Sequence, residues 1–436
     1  MKKLIAISFL LCNVVVLFAK EKPSRYDLQP VVFSLSKVMM HDVVNPPAAS
    51  RYYAYCLIGA NEIVSFSKPG TPSIRKMVSH LPKLTIPQPL TSFDYKAAAI
   101  LCIYETGKVL IPSGFTLQED EDQFLAELKK AKLSAARIKS SLAVAKAVAE
   151  QVIAWSRVDN YFKLSTYRRY TPTKGDAYWY PTPPAYMEAV EPHWRTIRTL
   201  LIDSFAQFKP IEPVKFSTDT TSEFYRLARE VREISLHSTE EQRTIAAFWD
   251  CNPFAISSAG HMMLGFKKMS PGAHWMGITG LACRKANADF EKSVWAHTLV
   301  ACTLMDAFIS CWDEKYRSNR VRPETFITRF IDPKWEPLLQ TPPFPEYTSG
   351  HSVISSASAE VLTHLFGDNF SYVDDTEVLF ELAPRKFSSF RQAALEAAVS
   401  RLYGGIHYRD AIDNGVEQGK ALGTFVVNKL KSNYSR

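Results

Sequence analysis

Three short segments in the last third of the chain gather residue types that suit one kind of chemistry: Lys315 with Arg322-Pro323, Thr348-Ser349-Gly350-His351, and Ser400-Arg401 followed by His407. They supply three cations, two imidazoles, a hydroxyl and a glycine backbone. Lysine is a point charge, whereas arginine presents a planar fork that bonds two oxygens at once. A Ser-Gly-His turn opening a helix adds backbone N–H groups where the helix dipole favours an anion. A tetrahedral oxyanion such as phosphate or vanadate matches that set. Each piece alone is a weak signal; the ordered set is far more specific.

The elements that must position these residues read as helices. Phe93 to Leu110 and Gln118 to Tyr161 carry helical patterns, the second as one long helix or two, rich in good helix formers. Thr220-x-x-Glu223 and Ser238-x-x-Glu241 read as capping boxes. Helices are expected over about 286–314, from near His351 to Gly367, from Ser389 to Tyr403 and from Asp410 to Leu430. In the last, Gly415, Gly419 and Gly423 recur every four residues and mark a face for close helix approach. Prolines 46, 47, 69 and 72 interrupt the mixed text of 20–90, and Tyr, Trp and Pro crowd 161–213 as a long ordered excursion. Strand signals are few. The expected fold is mostly α, built of helical bundles: a signal segment over 1–19, an N-terminal helical region over 20–240, and an oxyanion-binding bundle over 241–436.

Composition bounds the function. The 436 residues are 46% hydrophobic, enough for a large core, and the formal charge of +8 has no polybasic run or nucleic-acid motif beside it. Nucleic acid is therefore excluded as the expected partner, and small anions fit. Lys2 and Lys3, the apolar stretch Leu4–Phe18 and the small Ala19 read as a secretory signal, implying a periplasmic or secreted protein. Trp295 to Trp312 is apolar but carries His297 and Asp306, so it reads as a buried core helix, with no membrane span expected after the signal. Cys56, Cys102, Cys251, Cys283, Cys302 and Cys311 are dispersed, and buried free thiols are the expectation for most. Oligomeric state is not encoded in any motif.

The three segments resemble the signature of the type 2 phosphatidic acid phosphatase and vanadium-dependent haloperoxidase superfamily, in particular its soluble bacterial haloperoxidase-like branch. That resemblance implies a helical-bundle pocket used for either of two chemistries. In the haloperoxidases vanadate is the cofactor. Lys315, Arg322, Ser349, the Gly350 N–H and Arg401 would then hold its oxygens, with His407 as the axial ligand to vanadium and His351 as acid/base toward hydrogen peroxide, and halide would be the substrate. In the acid phosphatases His407 would attack phosphorus of a phosphate ester while His351 protonates the leaving alcohol. Trp312 and Phe344 match positions that form an apolar halide-side wall in chloroperoxidase-type members, where bromo- and iodoperoxidases tend to carry His at the Phe position. The phosphatase pattern places an Asp four residues after the last His; here that position is Ala411, bracketed by Asp410 and Asp413, either of which could orient His407. The first reading is a vanadium-dependent haloperoxidase, and the second an exported phosphatase. His261, His274 and His297 read as structural, and Arg317, Arg320 and Arg409 as solvated surface charge.

Overall fold

The computed structural model describes residues 25–78, 80–87, 92–259, 262–265 and 267–434, so residues 1–19, where a signal segment is expected, and His261 lie outside the described residues. The architecture is helical. The N-terminal elements are α1 (Leu28–His41), α2 (Pro46–Ser67), α3 (Tyr95–Leu110), α4 (Leu117–Lys130) and α5 (Ala135–Ser156). After a stretch with only short 3-10 turns come α6 (Glu223–Leu236), α7 (Glu240–Phe248), the hairpin β1 (Ile256–Ala259) and β2 (Met262–Gly265), and α8 (Pro271–Lys285). The remainder is α9 (Phe290–Ser318), α10 (Pro323–Phe330), α11 (Gly350–Phe366), a second hairpin of β3 (Tyr372–Asp374) and β4 (Arg385–Phe387), α12 (Phe390–Tyr403) and α13 (Arg409–Tyr434). Both hairpins are antiparallel, with Ile256 opposite Gly265 and Tyr372 opposite Phe387.

Helix α9 is the axle. It is long and apolar enough to cross a membrane by composition, yet its apolar window is wholly buried in protein. It packs on α2 and α8 on one side and α11 on the other. Its apolar residues are covered by neighbouring helices, each such aliphatic side chain contributing about 1.5–3 kcal/mol. Asp306 is the polar exception: its carboxylate accepts the backbone N–H groups of Leu200, Leu201 and Ile202 and so pins the 161–213 excursion to the axle.

Helix α11 lies against α9, α12 and α13. Its approach to α13 depends on the glycine stripe. A Cβ on Gly419 would sit 2.1 Å from the Val353 carbonyl oxygen, and one on Gly423 2.7 Å from that of Ala357. The expected helical stripe is thus a backbone-to-side contact that no larger residue permits.

Several expectations need correction. Residues 20–90 hold two full helices, because Pro46 and Pro47 occupy the first turn of α2, where proline is tolerated, rather than breaking it. The 118–161 text takes the second of its two expected forms, a pair of helices, with Ser134 capping the second. The cap of α6 is Ser222, not Thr220, and the capping box of α7 is Thr239 with Gln242, one residue beyond the expected Ser238–Glu241. Adjacent hydroxyl residues offer equivalent caps, and tertiary packing selects among them. The expectation for the cysteines holds: Cys56, Cys102, Cys251, Cys283, Cys302 and Cys311 are buried, unpaired thiols.

Candidate oxyanion site

Each functional side chain sits at the end of an element. Lys315 lies in the last turn of α9, which stops at Asn319 in the left-handed region (φ 48°). Arg322 immediately precedes Pro323, the first residue of α10. Ser349 caps α11, its hydroxyl accepting from the Ser352 N–H, so the N–H groups of the first turn at Gly350 and His351 have no acceptor inside the helix. Arg401 closes α12. The turn through Gly405 (φ +78°) then carries the chain to His407, and a Cβ on Gly405 would also press on Pro337.

The structure brings Gly350, His351, Arg401 and His407 to one cavity of about 40 Å³, with Trp312 and Phe344 on its wall. Those rings meet at 4.9 Å between centroids. Lys315, Arg322, Ser349, Arg401 and His407 are buried. His351 is partly exposed, but its Nε2 is buried with no hydrogen-bond partner. At roughly 10–15 Å³ per water-sized group, the cavity takes a few oxygen atoms and not a bulky organic group.

The cations are held by backbone carbonyls rather than by carboxylates. Lys315 Nζ donates to the carbonyls of Pro345 and Glu346, both at 3.1 Å, and of Thr348. Arg322 donates to Phe344 O (2.9 Å) and Ile406 O (2.8 Å) and faces His407 Nε2 at 3.2 Å, while its Nη2 is buried without a partner. Arg401 Nη2 donates to Trp249 O at 2.9 Å and Ala246 O at 3.3 Å. Burial pushes Lys315 down to about 8 and Arg322 down to about 10. Burial, then Arg401, holds His351 well below the usual imidazole range; burial, then Arg322 and Lys315, does the same to His407. Both imidazoles are therefore neutral near pH 7. Buried cations with no direct ion pair, beside the orphaned Arg322 Nη2 donor and the unpartnered His351 Nε2, fit an anion with several oxygens.

One functional residue was missed. The carboxylate that orients His407 is Glu346, neither Asp410 nor Asp413. Glu346 Oε1 lies 2.8 Å from His407 Nδ1 and accepts the Tyr408 N–H at 2.9 Å. With Nδ1–H donated to Glu346, the Nε2 lone pair is the one that faces the cavity. Burial raises Glu346 to about 7, with Arg320 opposing. Asp410 is engaged elsewhere, accepting both Nη atoms of Arg320 at 2.7 and 2.8 Å. Arg320 is accordingly a buried partner of both acids, not a solvated charge; its Nε is 3.5 Å from Glu346. Arg409 pairs with Glu230, and Arg317 with Glu314, at the periphery. The only hint of Glu346 in the sequence is an acid set between Pro345 and Tyr347 in an otherwise apolar segment. His297 is structural, buried with its Nδ1 on Ser293 O, and His274 is buried in an acid cluster described below.

A helical bundle enclosing buried cations, two neutral imidazoles and a helix N-terminus defines the acid phosphatase and vanadium haloperoxidase superfamily. The family model for the VCPO second helical-bundle domain matches residues 328–436. A crystal structure described as the first bacterial vanadium-dependent iodoperoxidase is similar with TM-score 0.87 and 44% identity, covering 94% of this chain and 98% of that one. Holo-type and apo-type bacterial vanadium-dependent chloroperoxidase structures share the fold, at TM-scores 0.62 and 0.65 and identities of 12% and 13%, over 90% and 88% of this chain and 94% and 93% of theirs. No curated protein matches the chain. The chain belongs to the vanadium-dependent haloperoxidase family.

Proposed function

We infer that this protein uses hydrogen peroxide to oxidise halide at a vanadate cofactor, and that iodide is its halide. The observation that carries the reading is a buried, anion-deficient pocket in a chain 44% identical, over nearly its whole length, to an iodoperoxidase. When bound, vanadate supplies a Lewis-acidic centre that activates peroxide toward halide. Lys315, Arg322, Arg401, Ser349 and the Gly350 N–H would hold its oxygens, and His407 would offer its Nε2 lone pair to vanadium. Glu346 keeps that imidazole in the required tautomer. His351, neutral and with Nε2 unpartnered, can take a proton from peroxide and return it to a departing oxygen. Trp312 and Phe344 keep bulk water from the cavity and present an apolar face that suits a large, weakly hydrated halide.

The wall resembles that of chloroperoxidase-type members, whereas the likeness at 44% identity is to an iodoperoxidase. A ring at position 344 therefore does not assign the halide alone, and the whole-chain likeness outweighs it. Phosphate-ester hydrolysis is the lesser reading, since the small cavity leaves little room for an alcohol group, although phosphate itself would compete with vanadate. Export through the segment 1–19 is part of this proposal, placing the enzyme in the periplasm or outside the cell.

Metal-stripped protein assayed with peroxide and iodide, before and after orthovanadate, tests the reading. Oxidation should appear only with vanadate and vanish in His407→Ala. Ester hydrolysis inhibited by vanadate, with no halide oxidation, would make the protein a phosphatase instead.

A further inference from the structure

Beside the pocket, and meeting its wall at Cys251, lies a second buried polar cluster that no step above uses. His274, on α8, is fully buried. Its Nε2 lies 2.9 Å from Asp374 Oδ2, and its Nδ1 3.1 Å from Glu377 Oε1 and 3.4 Å from Cys251 Sγ. Asp374 hydrogen-bonds Nε2, and Glu377 stands beside Nδ1 as a charge without a hydrogen bond; the two acids hold the imidazole well above its usual pKa in spite of burial. Asp374 is itself fixed, its Oδ1 accepting from the N–H and hydroxyl of Thr376.

The ring is coupled to the pocket through Trp249. It stacks on that indole at 4.5 Å between centroids with 19° between planes, an arrangement that stabilises a cation on an aromatic face. The opposite constraint on Trp249 comes from α12: its Nε1 donates to Glu396 Oε1 at 3.1 Å. Between these two holds, the Trp249 backbone carbonyl is the nearest acceptor of Arg401 Nη2, at 2.9 Å. Phe248 closes another side, edge-on to the imidazole at 5.4 Å.

We propose that His274 is a positioning residue for the oxyanion pocket: Asp374 and Glu377 fix it beneath the Trp249 ring, so that the Trp249 carbonyl presents a rigid acceptor to Arg401. Arginine offers a fork of fixed geometry, so the direction of its free N–H groups depends on where its bound ones are anchored. The support of an anion-binding group by a buried outer layer is a general way to tune affinity. The inference rests on the oxyanion reading of the pocket. The trio Cys251, His274 and Glu377 could alternatively take a soft divalent cation, since their ligand atoms lie within 4.8 Å of one another.

The experiment is equilibrium dialysis of orthovanadate, with inorganic phosphate as competitor, against metal-stripped full-length protein, alongside zinc analysis of the protein before stripping. His274→Gln should weaken vanadate binding by about 10- to 100-fold, with peroxide left out so that turnover plays no part. In an Arg401→Lys background the same substitution should cost little, because the fork it positions is gone; a general loosening would cost the same in both backgrounds. If His274→Gln does not fold, Glu377→Gln keeps the ring and one carboxylate and should give a smaller loss of the same kind. Unchanged affinity in the folded variant, or equal losses in both backgrounds, would overturn the proposal. One equivalent of zinc in the wild type, lost in His274→Gln, would overturn it in favour of a metal site. Wild-type protein that binds no vanadate would remove the oxyanion reading and this proposal with it.

Discussion

Two buried arginines, Arg51 on α2 and Arg322 at the head of α10, have opposite surroundings. Arg51 Nε lies 2.7 Å from Asp159, its Nη2 donates to Ser156 O at 3.0 Å, and its guanidinium stands 4.2 Å from the centre of the Tyr161 ring. Asp159 and its hydrogen bond raise the Arg51 pKa in spite of burial. Arg322, equally buried, meets carbonyls, a neutral imidazole and the face of Phe344, and burial lowers its pKa to about 10. The N-terminal arginine belongs to a finished ion pair that ties α2 to the end of α5. The C-terminal one makes no ion pair of its own and, in the function proposed above, would find its counter-charge in the oxyanion. Arg320, two residues before Arg322, is of the finished kind, with Asp410 and Glu346 raising its pKa. Neighbours in sequence thus differ in kind: Arg320 holds the scaffold through its acids, and Arg322 is the one the proposed function assigns to the anion.

The widest separation should come from exchanging the two charges for methionine. Arg51→Met leaves Asp159 buried without its cation and should cost about 3–5 kcal/mol of stability, read by denaturant unfolding. Arg322→Met should leave the vanadate-free protein at least as stable as wild type while weakening vanadate by about 2–5 kcal/mol. Similar stability losses in both variants would erase the distinction. Next in size is Glu346→Gln, expected to cost about 10- to 100-fold in vanadate affinity. An equal cost for Asp410→Asn would mean that Glu346 does not orient His407 alone.

A smaller, graded effect follows from pH. Burial lowers the Lys315 pKa to about 8, and a bound anion would favour its charged form. Below that pH Lys315 carries its proton and vanadate affinity should be level in this respect. Above it, binding must take up a proton, and affinity should fall by up to about tenfold per pH unit; a flat profile from pH 7 to 10 would discharge Lys315 from this role. The least effect should come from Phe344→His, which should change the ratio of iodide to bromide rates without loss of vanadate binding. Identical ratios before and after would show the wall to be packing only.

Much of this site was legible because its members sit at element ends that the sequence marks. Ser349 announces a helix start, Pro323 fixes the place of Arg322, and the turn after Arg401 leads directly to His407. The apolar run around Trp295–Trp312 declared the core helix, and the regular glycines the face of α13. Glu346 was not legible as the partner of His407, because 61 residues separate them and only the packed loop brings them to 2.8 Å. Arg320 was read as surface for the same reason: its acid partners come from other segments. In the first 90 residues proline was weighed as a breaker, although at the start of α2 its missing N–H costs nothing. The Trp249–His274 stack joins residues whose types say nothing about charge transfer or binding until their neighbours are known.

The glycines of α13 act on the pocket from a distance. Helix α11 begins at the Ser349–Gly350 turn, and α13 begins two residues after His407. A Cβ at Gly415 would strike the Ser352 side chain at 2.8 Å, within the first turn of α11. The spacing between the N–H groups of that turn and the His407 ring is therefore gauged by the thickness of two bare backbones. Three missing methyl groups serve as the shim of the pocket, so a substitution there would be felt as a misfit at the anion before it was felt as an unfolded helix.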